Sequence, residues 1–194
     1  MTLAGLVKLS SADPTLSDLR GAARSHAVRT LDVSAPAPMR PLIAAALADA
    51  TPDRPLLLVT ATYREAEQLT EACRSFLPPD EVAYYPAWET LPHERLSPRS
   101  DTVGRRLAVL RRLAGNESAT APLRVIVAPI RSVLQPQVKG LADLAPVRLV
   151  VGEDFDLDEL AAALVGAAYV RVDLVERRGE FAVRGGIVDV FPPT

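Results

Sequence analysis

The sequence predicts an α/β domain built on a parallel sheet, followed by a small α+β domain. Three observations predict it. Strand-like apolar runs alternate with helical patterns from residue 28 to residue 128, the order of a parallel sheet whose strands are joined by helices. The run Pro55-Leu-Leu-Leu-Val-Thr60 is continuously apolar rather than alternating, as in a strand covered on both faces. After Gln135 the texture changes to a linker, one helix and a cluster of short strands with glycine turns.

The bounds agree with a soluble protein of one or two domains, because 194 residues can bury a sizeable core. The net charge is −2, so no general electrostatic pull toward nucleic acid or membrane is expected. The single cysteine, Cys73, excludes an internal disulfide framework and a cysteine-based zinc cluster. No apolar run approaches the roughly 20 residues of a membrane span. The amino terminus lacks a basic region followed by an apolar one, so no signal peptide is expected and the expected location is cytoplasmic.

Taken in order, Asp13-Pro14 is a start signal for a helix from Leu16 to His26. Val28 to Val33 reads as a strand, Ser34 to Pro41 as a loop, and Leu42 to Ala50 as an alanine-rich helix. Pro55 to Thr60 is the buried strand. Thr62-x-x-Glu65 is a capping box opening the helix Tyr63 to Phe76. Val82 to Tyr85 is a strand, Pro86 to Arg99 a long proline-rich loop, Asp101 to Ala114 a helix, Gly115 to Pro122 a polar linker and Arg124 to Ala128 a strand. These elements make a first domain of residues 1–135.

The second domain, residues 136–194, opens on a linker from Lys139 to Ala145. Val147 to Val151 is expected as a strand and Asp156 to Ala167 as a helix. Three strands follow, and an antiparallel sheet with one wet face is expected. Val170, Val172 and Leu174 alternate with Arg171 and Asp173. Arg178-Gly179 is the first turn and Gly185-Gly186 the second, since glycine reaches positive φ without steric cost. Between them Phe181 and Val183 share one face, and Ala182 and Arg184 the other. Ile187 to Phe191 is the third strand, stopped by Pro192-Pro193. The chain stops at Thr194, directly after that strand, and the domain is expected to be truncated there. From Gln135 onward six Lys/Arg face ten Asp/Glu, which disfavours nucleic-acid binding by this part.

Few patterns carry chemistry. Ser34 to Pro41 has the strand–loop–helix setting of a phosphate-binding loop. Such a loop needs glycines, whose backbone N–H groups wrap phosphate, a lysine for its charge and a Ser/Thr for Mg²⁺. Here Pro36, Pro38 and Pro41 lack the N–H donor, no glycine is present, and Arg40-Pro41 stands where Lys-Thr is expected. The loop reads as degenerate, with no cofactor. Asp154-x-Asp156-x-Asp158 mimics a calcium loop, but Glu159 replaces the glycine of its turn, and helix capping is the better reading. His26 and His93 have no paired ligands, and no metal site is expected. Ser97, Asp101 and Ser132 sit in no nucleophile motif, so no catalytic residue is assigned. Cys73 reads as packing. Trp88 and Glu89 are an interaction epitope or, preferably, a plug at the core edge. Arg105, Arg106, Arg111 and Arg112 read as a solvated helix face. Arg184 is balanced between a partner contact and a surface arginine that orders its turn or pairs with Glu180.

One stretch breaks that balance. Arg177-Arg-Gly-Glu-Phe-Ala-Val-Arg-Gly-Gly-Ile-Val-Asp-Val-Phe-Pro192 resembles a signature segment of the excision-repair protein UvrB. It is more similar still to the UvrB-like amino-terminal modules of bacterial transcription-repair coupling factors, the Mfd family. Ala87-Trp-Glu-Thr-Leu-Pro92, followed by Leu96-Ser-Pro98, resembles the Mfd version rather than UvrB. The resemblance implies a UvrB domain 1a-like sheet of degenerate P-loop NTPase type followed by a UvrB domain 2-like α+β domain. It implies that this small domain docks onto UvrA, with Arg184 among the binding residues and Arg171, Arg177, Arg178 and Glu180 as weaker candidates. It implies further that the whole protein recognises stalled RNA polymerase and displaces it with a motor using ATP and Mg²⁺. Polymerase and DNA would be met by parts absent here, and no membrane is involved. The alternatives are a nucleotide-dependent hydrolase acting through the Ser34 to Pro41 loop and a UvrB-like DNA-binding module. Intact Gly/Lys chemistry would mark the first and a basic, aromatic stripe the second; neither is present.

Overall fold

A computed structural model, which describes residues 3–25, 27–90, 97–116 and 121–193, pairs three of the expected strands into one parallel sheet. These are β1 (Leu56–Thr60), β2 (Val82–Tyr84) and β3 (Val125–Pro129), in the order β1-β3-β2. Leu56 and Val82 both lie opposite Val125, on its two sides. As the middle strand, β3 is buried at every residue, which accounts for its unbroken apolar run. The equally apolar β1 is an edge strand. Leu56 and Leu58 pack on the core, whereas Leu57 and Val59 stay 50% and 46% exposed. The expected cover on both faces therefore fails at β1.

One face of the sheet is covered by α1 (Ala4–Leu9), α3 (Arg40–Ala50) and α4 (Tyr63–Arg74). Val7, Ala44, Ala45, Ala48, Ala66 and Cys73 meet Val82, Val125 and Val127 there. The alanines leave no side-chain bulk between α3 and the sheet, so the helix packs closely. Helix α2 (Pro14–Arg24) starts as its sequence dictates, the Asp13 side chain accepting from the Leu16 N–H. In α4 both halves of the Thr62/Glu65 capping box form. Helix α5 spans Ser100–Leu113, and α6 is the short Ile130–Leu134. No described helix is long and apolar enough to cross a membrane.

Two expected strands do not form. Residues 28–33 join no ladder. They stay exposed, and all but Asp32 line a cavity of about 570 Å³ with Leu19, Leu47, Leu56 and Leu57. Residues 147–151 are likewise unpaired, and only Val147 packs on a core. Alternating apolar residues suit a strand, but a strand exists only where a second backbone edge takes its hydrogen bonds. Among the described residues neither segment finds that edge.

Contacts cluster residues 1–87 and 111–136 into one compact unit, and residues 88–110 and 137–194 into another. The second unit holds α7 (Leu157–Gly166), β4 (Val170–Arg171), β5 (Glu180–Arg184) and β6 (Ile187–Phe191), with sheet order β4-β5-β6. Asp156 caps α7, its Oδ1 accepting from the N–H groups of Asp158 and Glu159 at 2.8 and 3.0 Å, as the capping reading requires. Leu160 and Leu164 of α7 pack on Phe181, with Val183, Val188 and Val190 beside it.

The antiparallel expectation holds only for β5 and β6, hinged at Gly185-Gly186. Strands β4 and β5 are parallel. The first strand ends at Arg171 instead of continuing to Leu174, because the chain bends at 173–174. It returns beside its own start: the Val170 N–H donates to the Gly179 carbonyl and the Val172 N–H to the Phe181 carbonyl, both at 2.9 Å.

Candidate functional site

The β5–β6 register builds the site. Glu180 lies opposite Phe191, Ala182 opposite Asp189 and Arg184 opposite Ile187. With a side-chain period of two, these six share one face. Phe181, Val183, Val188 and Val190 share the other, which is the core face. Arg184 thus stands on the face away from Phe181, its side chain 60% exposed.

Arg184 does not pair with Glu180, as one reading of the sequence has it. Its Nη2 donates to Oδ2 of Asp189 at 2.6 Å, diagonally across the hairpin. Glu180 turns its carboxylate elsewhere. Its Oε2 accepts from the backbone N–H groups of Glu176 and Arg177 at 2.9 and 2.8 Å. The N–H of Glu176 chiefly, then that of Arg177, holds the Glu180 carboxyl below its ordinary value, with the Arg177 charge assisting. Glu180 therefore anchors the segment leading into β5, and one of its oxygens is already engaged.

The other arginines differ in how firmly they are held. Arg178 donates to the Pro192 carbonyl at 3.1 Å and lies over the Phe191 ring, 5.1 Å from its centre. Arg171 and Arg177 are exposed, and no hydrogen bond or ion pair holds either side chain among the described residues. Val170, Ile187 and Phe191 add exposed apolar surface. The hairpin face is therefore a mixed patch, with two oriented guanidinium groups beside exposed aliphatic and aromatic side chains.

The remaining candidates fall away. In the Ser34 to Pro41 loop, residues 34–40 are exposed and Ala37–Met39 form a single 3-10 turn. Pro36, Pro38 and Pro41 offer no N–H to a phosphate, and Arg40 starts α3. These residues do not fit a nucleotide. His26 and His93 lie outside the described residues, as do Leu91, Pro92 and Leu96 of the second signature segment. Among the described residues no group of three or more metal-ligating side chains occurs. Ser132 is buried and donates to the Pro129 carbonyl. Cys73 is buried in the core, and desolvation pushes its thiol up to about 11. Of the arginines expected on a solvated face of α5, Arg105 is exposed, but Arg106 and Arg112 are not free in solvent. Arg106 is fully buried and stacks 4.2 Å from the centre of the half-buried Trp88 ring, while Arg112 donates to the carbonyls of Asp80 and Ala121.

Residues 147–194 match the UvrB interaction domain family. The transcription-repair-coupling factor of Mycobacterium bovis is 50% identical over 194 residues, covering 99% of this chain. Those of Bacillus subtilis and Myxococcus xanthus are 33% and 35% identical over 80% and 90% of it. The chain belongs to the transcription-repair-coupling factor family, as its UvrB-like amino-terminal module. It spans only 13 to 15% of the length of these relatives.

Within this family the degenerate loop and the exposed arginine of the UvrB interaction domain sit in one chain. The sequence reading missed Asp189 as the partner of Arg184. The signal was present. A two-residue turn at Gly185-Gly186 fixes the hairpin register, and that register puts Asp189 on the face of Arg184.

Proposed function

We propose that this chain is a non-catalytic recruiting module that binds UvrA through residues 136–194, with Arg184 as the principal contact. In the whole protein it would bring UvrA to lesions where RNA polymerase has stalled. An ATP- and Mg²⁺-dependent motor outside this chain would displace the polymerase along DNA, in the cytoplasm. The observation that carries the reading is the placement of Arg184. The matched UvrB interaction domain covers residues 147–194, and in it the hairpin arginine projects from the face opposite the core. Arginine is favoured at such contacts because its planar fork meets a carboxylate through two hydrogen bonds. Arg171, Arg177, Arg178 and Glu180 are subsidiary contacts. The nucleotide-dependent hydrolase is disfavoured by the three prolines of the Ser34 to Pro41 loop. The DNA-binding module is disfavoured by the excess of acidic residues in the second domain.

The test is a titration of the immobilised 194-residue chain with purified UvrA. Saturable binding that weakens on Arg184→Ala is expected. No binding at micromolar UvrA by the parent chain would overturn the proposal.

A further inference from the structure

We infer that Asp189 is the positioning residue of the recognition face: it aims the Arg184 guanidinium, and a carboxylate on the partner completes the arrangement. This deepens the proposed function and rests on it. Arg184 is the last residue of β5, held by its pairing with Ile187, but its side chain is long and 60% exposed. A long exposed side chain ordinarily samples many rotamers and loses that freedom when a partner binds. Here a single short charge-assisted bond fixes it. Nη2 donates to Oδ2 of Asp189 at 2.6 Å. Asp189 lies one cross-strand step away, opposite Ala182 and on the same face. Ala182 presents only a methyl group on that face.

The pair leaves donors to spare. A guanidinium carries five N–H groups, and the Asp189 contact occupies Nη2. With the side chain 60% exposed, its remaining donors can offer a partner's carboxylate two parallel hydrogen bonds. Ile187, opposite Arg184 in the register and 66% exposed, supplies apolar surface next to it, and Phe191 with Arg178 extends the face at the other end of the hairpin. An acidic side chain next to an apolar one is the partner chemistry that this face fits. Asp189 need not touch the partner. It acts through Arg184, and the alternative is that it competes with the partner for the same guanidinium. The two roles predict opposite signs.

The test is a double-mutant cycle on the 194-residue chain, read as affinity for purified UvrA. Asp189→Ala is expected to weaken binding by about two- to tenfold, the ordering cost of one long side chain. On an Arg184→Ala background it is expected to change affinity no further, since a residue acting through another has no effect once that other is gone. Asp189→Glu is expected to restore part of the affinity and Asp189→Asn less, because the neutral amide accepts a weaker bond. A readout without UvrA accompanies the cycle: the Arg184 Nε–H resonance should sharpen toward free-rotor behaviour in Asp189→Ala at unchanged melting temperature. Tighter or unaltered binding by Asp189→Ala, with Arg184→Ala still weak, overturns the positioning role alone. Equal losses from Asp189→Ala with and without Arg184 overturn it too, and make Asp189 a direct contact. Absence of binding by the parent chain removes the functional reading and this inference with it.

Discussion

Gly179 is where the architecture of the recognition unit is most exposed to a single methyl group. Its φ is +85°, and a Cβ built there would meet Ser100 Oγ at 2.6 Å and Ser100 Cβ at 3.0 Å. Its N–H donates to the Phe191 carbonyl and its carbonyl accepts from Val170, so it ties β6 to β4 beside β5. In Gly179→Ala the left-handed backbone costs about 1–2 kcal/mol. Rotating the Ser100 hydroxyl relieves the closer contact, and forcing that side chain from its rotamer adds roughly 0.5–1.5 kcal/mol. The stiffer unfolded chain returns about 0.4–1 kcal/mol, leaving a loss of about 2 kcal/mol. For a domain of 60–100 residues that corresponds to roughly 10 °C in the melting temperature. Gly185→Ala is the internal standard. Gly185 also has positive φ, +59°, but its added Cβ meets nothing within 4 Å, so only the backbone part applies. Differential scanning calorimetry of the two variants, with Gly179→Ala repeated on a Ser100→Ala background, separates the contributions. Equal shifts for Gly179→Ala and Gly185→Ala would refute the reasoning, because the Ser100 contact would then cost nothing.

Four further outcomes are expected. Arg184→Ala should keep stability within about 0.5 kcal/mol of the parent yet weaken UvrA binding by about thirtyfold, with Arg184→Lys recovering only part; a parent-like isotherm for the alanine variant would move the recognition face elsewhere. The Glu180 carboxyl, held down by two backbone N–H groups, contributes stability that is present above its unfolded value and lost as pH falls through its lower folded value. Its NMR titration midpoint should lie below 4.5, with the Glu176 and Arg177 amides moving in step, and a midpoint above 4.5 contradicts the assignment. Cys73, buried and pushed up to about 11, should resist a thiol reagent at pH 8 until the chain is denatured, so rapid native labelling would show that the core opens. Calorimetric titration with Mg-ATP should give no saturable heat, the Ser34 to Pro41 loop being short of backbone donors, and micromolar binding there would restore the hydrolase reading.

Legibility followed the range of the signal. Local signals held: the Thr62/Glu65 box, the Asp13 and Asp156 caps and the Gly185-Gly186 turn all form where the residues demand them. Features that depend on what lies alongside did not. Val28 to Val33 and Val147 to Val151 have strand composition but no paired edge among the described residues, and composition says nothing of partners. The parallel return of residues 172–179 is set by hydrogen bonds from Val170 and Val172 to a segment eight or more residues away, which alternation cannot encode. At the site, the face of Arg184 was legible because the side-chain period is two. Its partner was not read, because Asp189 is linked to Arg184 by register and Glu180 is nearer in its own strand.

Several arginines of the chain serve as clamps on its own backbone and carboxylates. Arg24 donates to the Ala50 carbonyl at the end of α3, and Arg54 to the Ala23 carbonyl near the end of α2. Cations there satisfy acceptors that a helix leaves unpaired and oppose the negative end of its dipole. Arg112 performs the same service for loop carbonyls, Arg124 meets Asp49 and Glu81, and Arg106 is sealed over Trp88. An arginine spent on interior carbonyls cannot also reach a partner without releasing an acceptor, which costs about 1–3 kcal/mol when that acceptor is buried. Arg184 lies outside this pattern, and Arg74 too pairs with an exposed carboxylate, that of Glu71. The bond of Arg184 goes to a partly exposed carboxylate on its own sheet face, so no buried acceptor depends on it. Arg184 can therefore engage a second carboxylate without leaving a buried group unpaired. The same residue type thus serves two ends in one chain, as an interior clamp where the acceptor is a helix carbonyl and as an outward donor where the acceptor is a surface aspartate.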